Sequence, residues 1–179
     1  DSNRKLIWHS FLGGAGADLA RGIVVDGSGN VWVAGQSNAT WGNDATVRGF
    51  SGGDEAFVAR LDRNGALVWN AFLGAKDGRD SGAAIAVDGA GKVYVGGTSS
   101  QTWCANPPPS DCAAPVRAHS GGNDAFAAHL DSDGTLIWYT FLGSSASDAG
   151  RGIAVNSIGQ VYVSGASGHI SSRTWCPKK

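Results

Sequence analysis

Methionine is absent from the 179 residues, and proline (five) and cysteine (three) are scarce. Five prolines beside 28 glycines exclude a collagen-like or proline-rich disordered polymer. A glycine share about twice the usual ~7% fits a chain of many tight turns joining short strands. No apolar run approaches the roughly 18 residues of a membrane-spanning helix. The opening Asp1-Ser2-Asn3-Arg4 lacks the basic and apolar regions of a secretory signal. The expectation is a soluble chain, with Asp1 marking a processed, excised or partial product. An excess of one charge is also missing: 14 Lys and Arg face 15 acidic residues, a net charge of -1, with no dense run of either sign. Affinity for a phosphate backbone needs a basic face that releases counterions, so nucleic acid is excluded as a partner.

What is present is a repeat, and a repeat decides fold before local propensity does. The run Leu6-Ile7-Trp8-His9-Ser10-Phe11-Leu12-Gly13 returns 61 residues later from Leu67 to Gly74, and 69 beyond that from Leu136 to Gly143. Each copy continues with an aspartate (Asp18, Asp80, Asp148) and an apolar run ending at Asp26, Asp88 or Asn156. A glycine-bearing turn and a second run follow, the latter starting at Val31, Val93 or Val161. After a variable stretch, the first two copies add Ala56-Phe57-Val58-Ala59-Arg60-Leu61-Asp62 and Ala125-Phe126-Ala127-Ala128-His129-Leu130-Asp131. Apolar residues alternate with period two, β-branched and aromatic residues fill the runs, and no window holds a helical period. One unit therefore contains four strands.

A four-stranded unit of some 60 residues, repeated in tandem, buries its faces only by stacking on its neighbours. The expected fold is all-β: tandem four-stranded antiparallel β-propeller blades, about eleven strands or about 2.75 blades, an open or partial propeller. Residues 1–13 read as the last strand of a preceding blade, 14–74 as the first full unit, and 75–143 as the second, with a Pro/Cys insertion at 103–118. Residues 144–179 read as a partial third. Phe72-Leu73-Gly74, Ile85-Ala86-Val87-Asp88, Val93-Tyr94-Val95-Gly96-Gly97 and Asn123-Asp124-Ala125-Phe126 with Leu130-Asp131 resemble the bacterial seven-bladed β-propeller repeat family, SBBP. That resemblance covers nearly the whole chain; it implies a propeller fold and a secreted or surface protein, and leaves the activity open.

A closed ring needs at least about four blades, so under three leave apolar faces to be covered. The expectation is self-association into a ring or filament, or the remainder of a longer chain.

Three sets of aromatic residues stand out. Trp8, Trp69 and Trp138, close to Phe11, Phe72 and Phe141, recur at fixed places as blade-to-blade packing requires. The turns ahead of Trp69 and Trp138 resemble the docking motif of quinoprotein propellers but are one residue short, so no quinone is expected. Trp41, Trp103 and Trp175 each follow a threonine in the variable connection, where an exposed indole stacks on sugar rings; a glycan is the alternative ligand, and pinning of the loop the plainer role.

The polar candidates are fewer. Asp18, Asp80 and Asp148, near Arg21, Arg79 and Arg151, are expected to cap turns or pair with arginine rather than bind a cation. Cys104 and Cys112 bracket a proline-rich loop that a disulfide would close, leaving Cys176 free or bonded to another chain. Asn38-Ala39-Thr40 is a glycosylation sequon. The histidines (9, 119, 129, 169) fall at non-equivalent places, no nucleophile–base motif occurs, and neither a metal nor a cofactor is expected. The expected function is a non-enzymatic extracellular or cell-surface scaffold, structural or adhesive, with a glycan-binding module second and a fragment of a propeller enzyme third.

Overall fold

A computed structural model of the chain describes residues 3–103 and 114–168. The described residues hold eleven β-strands and one 3-10 turn, Asn43–Ala45, and no α-helix. β1 (Asp18–Val25), β2 (Val31–Ser37), β4 (Glu55–Leu61) and β5 (Leu67–Leu73) form one antiparallel sheet. β6 (Asp80–Val87), β7 (Val93–Ser99), β8 (Asp124–Leu130) and β9 (Leu136–Leu142) form a second in the same order. β10 (Asp148–Val155) and β11 (Val161–Ser167) form the third. The expected all-β fold of blade-like four-stranded sheets is what the chain adopts, and it stays open.

Period-two sequence becomes two apolar faces per sheet. From the first sheet, Trp32, Ala34, Ala56, Val58, Trp69, Ala71 and Leu73 point toward the second sheet. There they share one buried cluster with Val93, Val95, Phe126, Ala128, Leu130, Tyr139 and Phe141. The first sheet's opposite face, with Val31, Val33, Phe57, Ala59, Leu61 and Phe72, is covered by Trp8, Leu12 and Phe50. The innermost strands each carry a bulge of one extra residue, at Arg21, Ala83 and Arg151, which adds local twist and re-aims that side chain.

Two details depart from the sequence expectation. Residues 6–12 are not a strand although they repeat the pattern of β5 and β9. A fourth strand must pair with the third of its own sheet, and no such third strand precedes β1 among the described residues. Phe11 is consequently 94% exposed, meeting only the His9 ring edge-on at 5.7 Å among aromatic contacts of the described residues, whereas Phe72 and Phe141 are fully buried. The second detail is β3 (Thr46–Arg48), a short parallel addition to β5 inside the variable connection. Val116 and Arg117 make the equivalent backbone bonds to Tyr139 and Phe141 (2.9 and 3.1 Å). In both sheets the connection thus folds back along the outer edge, which would otherwise present unpaired backbone groups.

Candidate functional site

The seam between successive blades carries the most repeated geometry. Trp69 on β5 faces the second sheet, and its Nε1–H donates to the carbonyl of Ser132 at 2.9 Å. Ser132 lies in the turn Asp131–Gly134 joining β8 to β9, where Asp131 Oδ1 accepts the backbone N–H of Asp133 and of Thr135 (3.0 and 2.9 Å). Gly134, at φ +86°, lies over the indole, and a Cβ there would come within 3.0 Å of the ring. One unit earlier the same parts recur. Trp8 Nε1–H donates to the carbonyl of Arg63 at 3.0 Å, and Gly65 (φ +83°) covers the Trp8 ring. Arg63 and Ser132 each follow the turn aspartate by one position, and Gly65 and Gly134 by three. An Asp-x-x-Gly turn therefore receives the tryptophan of the preceding unit, through its second carbonyl and its side-chain-free fourth residue.

Trp69 is 4% exposed, and Arg60 joins it by donating to the same Ser132 carbonyl (3.1 Å) while lying 5.2 Å over the Trp32 ring. The second sheet holds Tyr94, His129 and Trp138 in the places of Trp32, Arg60 and Trp69. His129 stacks on Tyr94 with ring centroids 4.6 Å apart and lies 5.7 Å from Trp138. Burial holds the His129 imidazole below the usual histidine range, and the Lys92 charge adds to the effect.

Trp41 and Trp103 are not available to a sugar. They are 6% and 0% exposed, because the connection that carries them folds across its own sheet. Trp103 stacks on Tyr139 at 4.9 Å and meets Phe126 and Phe141 edge-on. Its Nε1–H donates to Asp80 Oδ1 and Ser99 Oγ (3.1 and 3.0 Å). Trp41 meets Phe57 and Phe72 edge-on. Its carbonyl accepts from Asn70 Nδ2 at 3.1 Å, as the Trp103 carbonyl accepts from the Tyr139 hydroxyl at 3.2 Å. Both pin a loop, and glycan stacking by them is corrected on that ground. Trp175, Cys176 and the two cysteines expected to pair, Cys104 and Cys112, lie outside the described residues.

The repeated aspartates cap turns. Oδ2 of Asp18, Asp80 and Asp148 accepts the backbone N–H of Gly14, Ala75 and Ser144 at 2.8, 2.9 and 2.7 Å. Glu55 and Asp124 hold Ser51 and Ser120 in the same manner. Burial pushes the carboxyls of Glu55 and Asp80 above their ordinary ranges, against the hydrogen bonds each accepts, and the Asp80 charge adds to the rise at Glu55.

Chemistry is sparse elsewhere. His119 reaches the Ser99 carbonyl at 3.3 Å and meets Phe141 edge-on, a packing role. No group of three or more metal-ligating side chains occurs among the described residues. A cleft between the β1–β2 and β6–β7 turns is lined by Asp26, Ser28, Asn30, Trp32, Arg60 and Asp88; another over the inner strands holds Arg21 and Arg151. The sequence reading missed the receiving carbonyls at 63 and 132 and the outer-edge residues Arg48 and Arg117. The repeated Val-Arg and Asp-x-x-Gly were the available signals.

No curated protein matches the chain. Residues 7–40, which run from the first tryptophan-bearing segment through β1 and β2 to the threonine before Trp41, match the family model of the SBBP beta-propeller repeat. The chain thus carries an SBBP beta-propeller repeat at residues 7–40, and its sheets are built as propeller blades.

Proposed function

We propose that this propeller module is a non-enzymatic structural scaffold, working at the cell surface or outside the cell, whose task is to hold blades in register within a larger ring or filament. The observation that carries this reading is the twofold recurrence of the tryptophan latch, Trp8 on Arg63 and Trp69 on Ser132, with glycine at the same place in both receiving turns. Repeated positions are spent on stacking one sheet against the next, and the histidines sit in unlike surroundings. Such a module adds blades by repeating one interface, the economy of repeat architectures.

Two measurements test the reading together. Protease treatment of intact producing cells, followed by an antibody to the chain, should remove the signal; full protection with the chain in the cytosol would overturn the surface assignment. Sedimentation of the 18.2 kDa chain should show concentration-dependent association, and a monomer at every concentration would overturn the assembly.

A further inference from the structure

We infer that the face of the second sheet turned toward the third, together with the edge of β11 that no strand covers among the described residues, is a receptor for a β-hairpin of the kind β8 and β9 form: two antiparallel strands joined by an Asp-x-x-Gly turn. The inference rests on the stacked-blade reading above and continues an interface the molecule already makes once. On the first sheet, Trp69, Ala71 and Leu73 are 4%, 0% and 0% exposed, covered by the second sheet's outer half. Their counterparts Trp138, Thr140 and Leu142 are only half-buried, because the third sheet's described strands are its inner two. Trp138 Nε1–H has no acceptor among the described residues, where Trp69 Nε1–H has the Ser132 carbonyl. His129, in the place of Arg60, is 8% exposed, and both its ring nitrogens lack a hydrogen-bond partner among the described residues. Two donors converge on one turn carbonyl in the first blade, and the groups in their places in the second, Trp138 and His129, have no such partner among the described residues.

The edge of β11 specifies the hairpin's first strand residue by residue. In both complete blades the second strand pairs with the third in one register: Ser37 with Glu55 and Gly35 with Phe57, then Ser99 with Asp124 and Gly97 with Phe126. A Cβ on Gly35 or Gly97 would first meet the backbone oxygen of Leu19 or Ser81 on the neighbouring inner strand, as one on Gly165 would meet that of Ala149, and would also lie 2.7 Å from the phenylalanine ring of the third strand. β11 repeats the pattern with Gly165 and Ser167 but has no strand on that edge among the described residues. The incoming strand should place an acidic residue opposite Ser167, phenylalanine opposite Gly165 and leucine opposite Val161, then turn through Asp-x-x-Gly so that its second carbonyl meets Trp138. Main-chain pairing supplies affinity in such strand addition, and the side-chain slots supply specificity.

The probe is a synthetic peptide with the sequence of residues 123–143, titrated into the full chain and followed by calorimetry and tryptophan emission. Saturable 1:1 binding is expected. Trp138→Ala in the chain should weaken it at least tenfold, and a peptide with Phe126→Ala and Gly134→Val should not bind. Because the second comparison alters only the peptide, it stands even if the chain variant folds poorly. Absence of saturable binding, or equal binding of the altered peptide, would overturn the inference. So would a dimer that forms without peptide and excludes it, which assigns the face to a second copy. Loss of stability in Trp69→Ala tests the stacked-blade reading separately, whatever the peptide does.

Discussion

Trp69 and Trp138 occupy the same position in the same strand of successive units, follow the same Asp-x-x-Gly turn, and end in different surroundings. The first is buried with its N–H bonded across the seam; the second is half in water with its N–H unpaired among the described residues. The contrast continues down each strand, from Ala71 and Leu73, fully buried, to Thr140 and Leu142, half-buried. Nothing within either sheet explains it, since strand order and register are shared. The neighbour does: burial in this molecule is a property of blade pairs.

The largest way to break the comparison is to truncate both rings. Trp69→Ala should cost about 3–5 kcal/mol, because a fully buried indole leaves a cavity at the seam. Trp138→Ala should cost about 1–2 kcal/mol, because part of its ring is already in water. Urea denaturation of each full-length variant measures both; equal losses would show that the two positions are equivalent and the seam incidental.

A smaller effect isolates the receiving turn. Gly134→Ala and Gly91→Ala both place a side chain at positive φ, +86° and +76°, a strain of about 1–2 kcal/mol. Only at residue 134 does the new Cβ also meet the seam, Val47 Cγ2 at 2.6 Å and the Trp69 ring at 3.0 Å, while at residue 91 the nearest atom is 3.8 Å away. Gly134→Ala should therefore be the more destabilising by about 1 kcal/mol. Identical melting temperatures would mean that neither Val47 nor the indole packs over the turn.

The smallest effect is a dependence on pH. Burial raises the Glu55 carboxyl in the folded chain, so the folded state keeps a proton that the unfolded state loses above roughly pH 4. The stability this contributes is full below that value and is lost as pH rises through the raised folded value. Glu55→Gln, which stays neutral, should therefore gain on the parent as pH climbs from about 4 toward neutrality. A difference that does not vary with pH would mean the carboxyl is not perturbed.

How far the sequence foretold these features depends on whether their cause is local. Strands, turns and the packing role of Trp69 were legible, because period-two alternation and glycine-bearing turns act within a few residues. Leu6 to Leu12 carries the pattern of β5 yet forms no strand, since strand formation needs a third strand beside it and none lies there among the described residues. Trp41 and Trp103 were placed in a loop with pinning as their plainer role, which their burial matches, and the glycan alternative failed because it took the loop as exposed. Asn70 and Tyr139, each bonded to the carbonyl of a loop tryptophan, draw the connection back across the sheet, and that contact spans 29 residues in one case and 36 in the other. β3 escaped notice because three residues of parallel pairing leave no period to read.

Hydrogen exchange at the indole nitrogens tests the neighbour-dependence of burial most directly, since each tryptophan gives its own N–H signal. The Trp69 indole proton should exchange only when the seam opens, and the Trp138 proton should exchange at close to the rate of a free indole. Equal protection of the two, or a protected Trp138 beside an exposed Trp69, would contradict the account.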